Sequence, residues 1–255
     1  MAEEKSQDIS HILKGWQYKP DEMNVRRVTG DDNKDKIQMR LDLGLLQMEV
    51  EGRPDGKRPH GFESIFDFYR DALRRYTERK GTDEGWSLSA EEANKVRLEA
   101  LQYYQRYLSL FFLEDWVGVV RDTDRNIRVF DLLWKYGPED GKWSSEQYRP
   151  YVLMMNTRAR VSLTLQEHDY DLALRQLEGG IAAIEAFYEG HGRSELMAES
   201  QEIHFLREWE EKVRQRKPLT PREKLQRALE EAVKEEAYER AAQIRDEMRK
   251  LDETA

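Results

Sequence analysis

From Phe62 to Leu251 the apolar residues fall three and four positions apart in segment after segment, and most segments are bracketed by helix start and stop signals. That spacing puts them on one side of a helix with 3.6 residues per turn, so most of the chain must fold as amphipathic helices laid against one another. Ser64-x-x-Asp67 opens a segment with Ile65, Tyr69, Leu73 and Tyr76 on one side, closed by Gly81. Ser89-x-x-Glu92 is a capping box, in which hydroxyl and carboxylate each take an unpaired backbone N–H. Its helix carries Val96, Ala100, Tyr103, Tyr104, Tyr107, Leu108, Phe111 and Phe112, a face broad enough for more than one neighbour. Glu114-Asp115 begins the next, with Trp116, Val119, Val120, Thr123, Ile127, Phe130 and Trp134 inward and Gly137-Pro138 as its stop. Ser144-x-x-Gln147 is expected to start a helix with Tyr151, Met155, Ala159 and Ser162 inward. After His168-Asp169-Tyr170, a further helix shows Ala173, Leu174, Leu177, Ile181, Ile184 and Tyr188 and ends at Gly190-His191-Gly192. A long helix over 194–216, with Ile203, Leu206, Trp209 and Val213 on one side, is expected to follow.

Only the N-terminal part has the two-residue period of strands. Ile37, Met39, Leu41 and Leu43 alternate with polar neighbours, and Leu46, Met48 and Val50 alternate in the opposite phase. Gly44 marks the phase change, where a bulge or tight bend is expected. Met23 to Val28 reads as an earlier strand, joined through the turn residues Thr29 to Asn33. A small antiparallel sheet over about 22–52 would need the helices to cover one face. Trp16 and Tyr18, near Pro20, are expected to tuck onto the helical core as an N-terminal strap.

Composition narrows the function classes. The net charge is −9 with an isoelectric point near 5.3, whereas general nucleic-acid binding calls for positive charge. A local exception is the 207–227 stretch, where eight Lys/Arg accompany four Glu; it reads as a solvated face or as a phosphate-binding strip. Charged residues make up 36% of the chain and mean hydropathy is −0.91, with no apolar run near the roughly 20 residues of a membrane span. There is no secretory-type start and no cysteine, hence no disulfide, thiolate nucleophile or Cys-bound zinc, and a cytoplasmic location is expected. His11, His60, His168, His191 and His204 show no metal-binding spacing, and the isolated glycines form no nucleotide fingerprint. No metal and no cofactor are expected.

The chain closes on a hairpin signal. Lys217-Pro218-Leu219-Thr220-Pro221 breaks the preceding helix; Thr220 is the expected cap, with Pro221 first in the helix and Glu223 completing the box. The first helix presents Leu225, Leu229, Ala232 and Val233, and the second Ala237, Ala241, Ile244, Met248 and Leu251. This is a narrow seam of coiled-coil type. Ala241 and Ala242 are expected to keep the helices close while Tyr238 anchors the turn. Isolated helices of about 12–15 residues are marginal in water, so the seam should need cover from a second hairpin, in another copy or a partner. A hairpin folded back on its own chain is the alternative.

Tyr238-Glu239-Arg240-Ala241-Ala242-Gln243-Ile244-Arg245-Asp246-Glu247-Met248 resembles the UvrB/UvrC (UVR) motif, written aromatic-Glu-x-Ala-Ala-x-Leu-Arg-Asp-x-Ile, with Leu225 and Leu229 at its helix-one apolar positions. Ala237 departs from it, since an acidic residue is common there. Proteins bearing the motif include excision-repair subunits, a Clp-type unfoldase and an arginine-kinase activator, and the resemblance implies docking rather than catalysis. It implies partner-binding roles for Leu225, Leu229, Tyr238, Ala241, Ile244 and Met248, with Arg245 and Asp246 as flanking polar contacts. The runs Lys36 to Gly44 and Gly52 to Gly56 also look like bacterial proteins of unassigned role that end in this motif. Asp169 to Ile181 is similar to the second helix of a tetratricopeptide (TPR) repeat, where Ala173 and Gly180 would admit a close neighbour; Val161 and Thr164 depart from its first helix.

A further candidate is polar. Asp122, Asp124 and Asn126 on one helix and Arg158 and Arg160 on the next could line a groove for a peptide terminus or phosphate, or could be interhelical ion pairs that fix register. The fold expected is α+β and mostly α: strap and sheet over 1–60, TPR-like antiparallel hairpins over 61–216, and linker plus UVR hairpin over 217–255. The function expected is a non-enzymatic adaptor that binds a protein partner or itself. The alternatives are a DNA-repair accessory using the basic strip, and an enzyme or ligand-binding protein using the Asp122/Arg158 groove.

Overall fold

Alternating side chains between residues 35 and 49 fold as the expected antiparallel strands. The computed structural model describes residues 8–219 and 221–254, with the backbone alone at 221, 223 and 252–254. A single turn, α1 (Ser10–Leu13), precedes β1 (Val25–Thr29), β2 (Asp35–Leu41) and β3 (Gly44–Glu49), ordered β1-β2-β3. Register pairs Ile37 with Met48 and Met39 with both Leu46 and Val25, gathering the apolar side chains on one face. The other face is polar: Lys36 Nζ lies 2.6 Å from Glu49, and Arg26 Nε donates to Gln38 at 2.9 Å.

Two expectations change here. Gly44 is neither bulge nor bend; it pairs with Leu41 and opens β3, so Asp42 and Leu43 form a two-residue turn. Leu43 is therefore 93% exposed, because the alternation stops where the hairpin reverses. Trp16 is buried, but against the sheet: the Arg26 guanidinium sits 3.9 Å from its ring and Arg40 Nε donates to its carbonyl. A cation on the sheet's polar face is a better neighbour for an indole than sequence pattern could disclose.

The helices begin where side-chain caps place them. Ser64 accepts the Asp67 N–H ahead of α2 (Ile65–Lys80), which Gly81 ends in a left-handed conformation (φ 77°). Both bonds of the Ser89/Glu92 box are made ahead of α3 (Ala90–Phe112). Asp115 caps α4 (Trp116–Tyr136), and Gly137 closes it. Ile65, Phe66, Val96, Ala100, Val129, Leu133 and Val152 are among the residues of one continuous core.

Ser144 does not cap a long helix. It lies inside a short one, α5 (Lys142–Glu146), and α6 (Arg149–Gln166) starts anew with Pro150 in its first turn. Proline lacks an N–H and is tolerated only there, which forces the restart. Asp169 caps α7 (Tyr170–Gly190) after His168 adopts φ 60°. Gly180 meets α6 so closely that a Cβ would lie 2.3 Å from Thr157 Oγ1. The expected helix over 194–216 is split into a 3₁₀ turn (Ser194–Glu199) and α8 (Gln201–Arg216), because extended Ser200 intervenes with its hydroxyl accepting the Ile203 N–H.

Chain contacts divide the molecule into two compact units, residues 1–210 and 211–255. Within the first, arginines fasten the sheet to the helices. Arg106 Nη1 donates to the Glu49 and Gly52 carbonyls at 3.1 and 2.7 Å, and Arg121 Nη2 donates to that of Val50 at 2.8 Å.

Candidate interaction hairpin

The second unit contains α9 (Pro221–Lys234) and α10 (Tyr238–Thr254). α9 opens on Pro221 as expected; the Thr220 cap and the Glu223 side chain lie outside the described residues. The chain reverses at Glu236, in a left-handed conformation (φ 57°), while Ala237 N–H donates to Ala232 O at 2.8 Å. Ala232, Ala241 and Ile244 are buried at 0, 0 and 8% exposure, with Leu225, Ala228, Leu229, Ala237 and Met248 packed half-buried around them. Alanine at the two fully buried positions takes little room between the helices, so the hairpin covers the centre of its seam with its own helices.

That alters the sequence expectation. The centre of the seam does not wait for cover from outside the hairpin; what remains partly open is its rim of Leu225, Leu229 and Met248. Val233 faces outward at 51% exposure, since its place on α9 is turned about 100° from Ala232. Tyr238 is 67% exposed and does not anchor the turn, and Ala242 is exposed while Ala241 alone enters the seam. Arg245 and Asp246 are exposed beside it, with Asp246 3.3 Å from Arg249.

The polar candidates are internally matched. Asp122 is fully buried and accepts from Arg106 Nε and Nη2 at 2.6 and 2.8 Å and from Arg121 Nε at 2.9 Å. Asp124 accepts from Arg160 at 2.6 Å and from Asn156 at 2.8 Å, joining α4 to α6. Asn126 donates to the Ala100 carbonyl at 3.0 Å. Arg158 stands apart from these, its guanidinium between the rings of Phe111 and Phe205 at 4.3 and 4.5 Å. Burial lowers the Arg158 pKa. These five residues therefore do not form one open groove; most of them fix helix register.

Sequence reasoning missed the pair that anchors this network. Glu99 is buried, accepts the Ile65 and Phe66 N–H groups at 2.7 and 3.1 Å, and pairs with Arg125. A carboxylate at the start of α2 is well placed, because unpaired N–H groups and the positive helix end converge there. Arg125 stacks 3.6 Å from the Tyr103 ring, and burial depresses its pKa. The signal was present: Glu99 and Arg106 occupy inward positions of the Val96–Ala100–Tyr103–Tyr107 face. Among the described residues no group of His, Cys, Asp or Glu could hold a metal ion.

Of the 207–227 strip, Arg207 pairs with Glu185 at 2.7 Å, and Lys212, Arg214, Lys217 and Arg222 are not without partners either. Among the described residues no helix is long and apolar enough to cross a membrane.

Fold and site thus define a mostly helical protein with a small antiparallel sheet and a terminal two-helix hairpin. Residues 222–254 match the model of the UvrB/uvrC motif (UVR), so the chain carries this motif across α9 and α10. It is a motif of protein-interaction and DNA-repair proteins. Comparison with curated proteins and with solved structures gives no match.

Proposed function

We propose that this chain is a non-enzymatic cytoplasmic adaptor or regulatory protein whose UVR hairpin docks a second helical hairpin, from another copy or from a partner. The observation that carries this reading is the hairpin's division of labour. Its alanines and Ile244 hold its own two helices together, while Leu225, Leu229 and Met248 remain half-open and Val233 and Tyr238 point outward. Pairing two such hairpins would cover that rim and make a four-helix arrangement. The close α6–α7 pair, with Gly180 against Thr157, supports a TPR-like layer as a second surface. The internally matched charges around Asp122 and Asp124 favour an adaptor over an enzyme.

The test compares the full chain with a version ending at Lys217, reading self-association by sedimentation and partner capture by pull-down. Val233→Glu with Tyr238→Glu leaves the buried alanines untouched and should weaken association with helicity unchanged. Ile244→Asp places a charge in the seam and should abolish association while the first unit stays folded. Association that survives Ile244→Asp overturns the proposal. Salt-dependent retention of DNA by the full chain, lost with the 218–255 segment, would transfer the function to nucleic acid.

A further inference from the structure

Within the first unit, α3, α4, α5 and α6 line a cavity of about 660 Å³ that also reaches Glu202 in the first turn of α8. That volume is within the range of small-molecule sites. Its wall is rich in tyrosine: Tyr104 lies edge-on to Tyr107 at 5.4 Å and 6.4 Å from Tyr151, with Tyr148 nearby on the lining. Two polar atoms behind its wall stand out. Tyr107 is fully buried, and its hydroxyl has no hydrogen-bond partner among the described residues. Arg97 Nε is likewise buried and unpartnered; Nη2 donates to the Gly141 carbonyl at 3.0 Å, and no carboxylate among the described residues pairs with the guanidinium.

A buried donor without a partner costs stability, and native chains rarely keep one without a use. The wall of this cavity has two, on the same helix and out of reach of water in the free protein, so a ligand must draw these side chains inward to meet them. Arg97 and Tyr107 are ten residues apart in α3, which separates their backbones by about 15 Å. One small anion cannot bridge them; an elongated ligand with an acceptor at each end can. Burial raises the Tyr107 pKa, so the hydroxyl keeps its proton at neutral pH. The Glu202 carboxylate accepts from Ser200 Oγ at 2.9 Å and sits in the first turn of α8, where the helix end offsets its charge.

We propose that this cavity binds an elongated, planar aromatic carboxylate, its rings against the tyrosines, its carboxylate at Arg97 and a second oxygen at Tyr107. The site is independent of the hairpin, and its test does not depend on what the hairpin docks.

Three probes of one shape test it on the full chain by titration calorimetry and ligand-observed NMR: 6-hydroxy-2-naphthoate, 2-naphthoate and 2-naphthylmethylammonium. The hydroxylated carboxylate should bind tightest and the cation weakest. Arg97→Gln should weaken both carboxylates by about tenfold. Tyr107→Phe should erase the preference for the hydroxylated probe and leave the thermal midpoint of the free protein unchanged or raised. The proposal is overturned by binding of none of the probes, which marks a merely hydrated cavity, or by a cation that binds as well as the carboxylates. It also falls if the hydroxyl preference survives Tyr107→Phe. Should that variant fail to fold, the hydroxyl is structural and the proposal falls as well, unless Arg97→Gln and the probe order on the native chain hold as stated.

Discussion

Replacing Asp122 by alanine should be among the most costly single changes in the first unit. The carboxylate is fully buried and receives three charged N–H donors, two of them from Arg106, which is itself 1% exposed. Without it the Arg106 guanidinium keeps only the Glu49 and Gly52 carbonyls and remains buried with its charge unmatched. Breaking such a pair from one side costs about 3–5 kcal/mol, a sizeable share of the stability of a typical domain. Asp124→Ala is the control. It has the same chemistry two residues away, but its pair with Arg160 is 39 and 44% exposed, so the ion pair should contribute less than about 1 kcal/mol. Urea unfolding read by tryptophan fluorescence isolates the relevant unit, because all six tryptophans lie within residues 1–210. Arg106→Met combined with Asp122→Leu should recover most of the loss, since both charges leave together. An Asp122→Ala midpoint close to that of Asp124→Ala would refute the argument, for it would mean that water reaches Arg106 and the pair is not an interior clamp.

Other consequences follow from the same packing. Gly180→Ala should cost about 1–3 kcal/mol despite alanine's better helix propensity, because its Cβ would meet Thr157 Oγ1 at 2.3 Å; Thr157→Ala should recover part of this in the same urea assay. Asp83 titrates low because Lys135 and Tyr136 hydrogen-bond to its carboxylate. A carboxyl depressed on folding adds stability above its unfolded pKa and loses it as pH falls through the folded value. Asp83→Asn should therefore flatten the acid side of a Tm-against-pH curve; an identical acid limb would count against this tether. Ser89→Ala removes the hydroxyl that accepts the Glu92 N–H and should lower stability by about 1 kcal/mol, measured by the same denaturation.

Much of the fold is legible because its signals are local. Ser64, Ser89, Asp115 and Asp169 act on N–H groups within three residues of themselves, and Gly81 meets a conformational demand of its own backbone, so the residue type alone marks the boundary. The alternation of Ile37, Met39 and Met48 gave the strands, and the identities from Tyr238 to Met248 gave the hairpin for the same reason. Where a local signal was present but overlooked, as with Pro150 in the first turn of α6, the boundary was misplaced.

What local reading could not supply is the environment that non-neighbours create. Leu43 and Leu41 carry the same side chain, yet the turn between β2 and β3 leaves one almost wholly in water. Asp122 and Asp124 are two residues apart in sequence; helix rotation alone separates them by about 200°, sending one into the interior against Arg106 and the other to the half-exposed flank of α6. Ala241 and Ala242 are adjacent and identical, but only the first faces α9. The sequence by itself determined which stretches coil, where many of them stop, and that residues 222–254 carry a two-helix motif. Tertiary structure decided which charges were neutralised inside, which alanine closed the hairpin and where a tyrosine-lined cavity opened, because burial and pairing depend on distances between segments that periodicity along one segment does not encode.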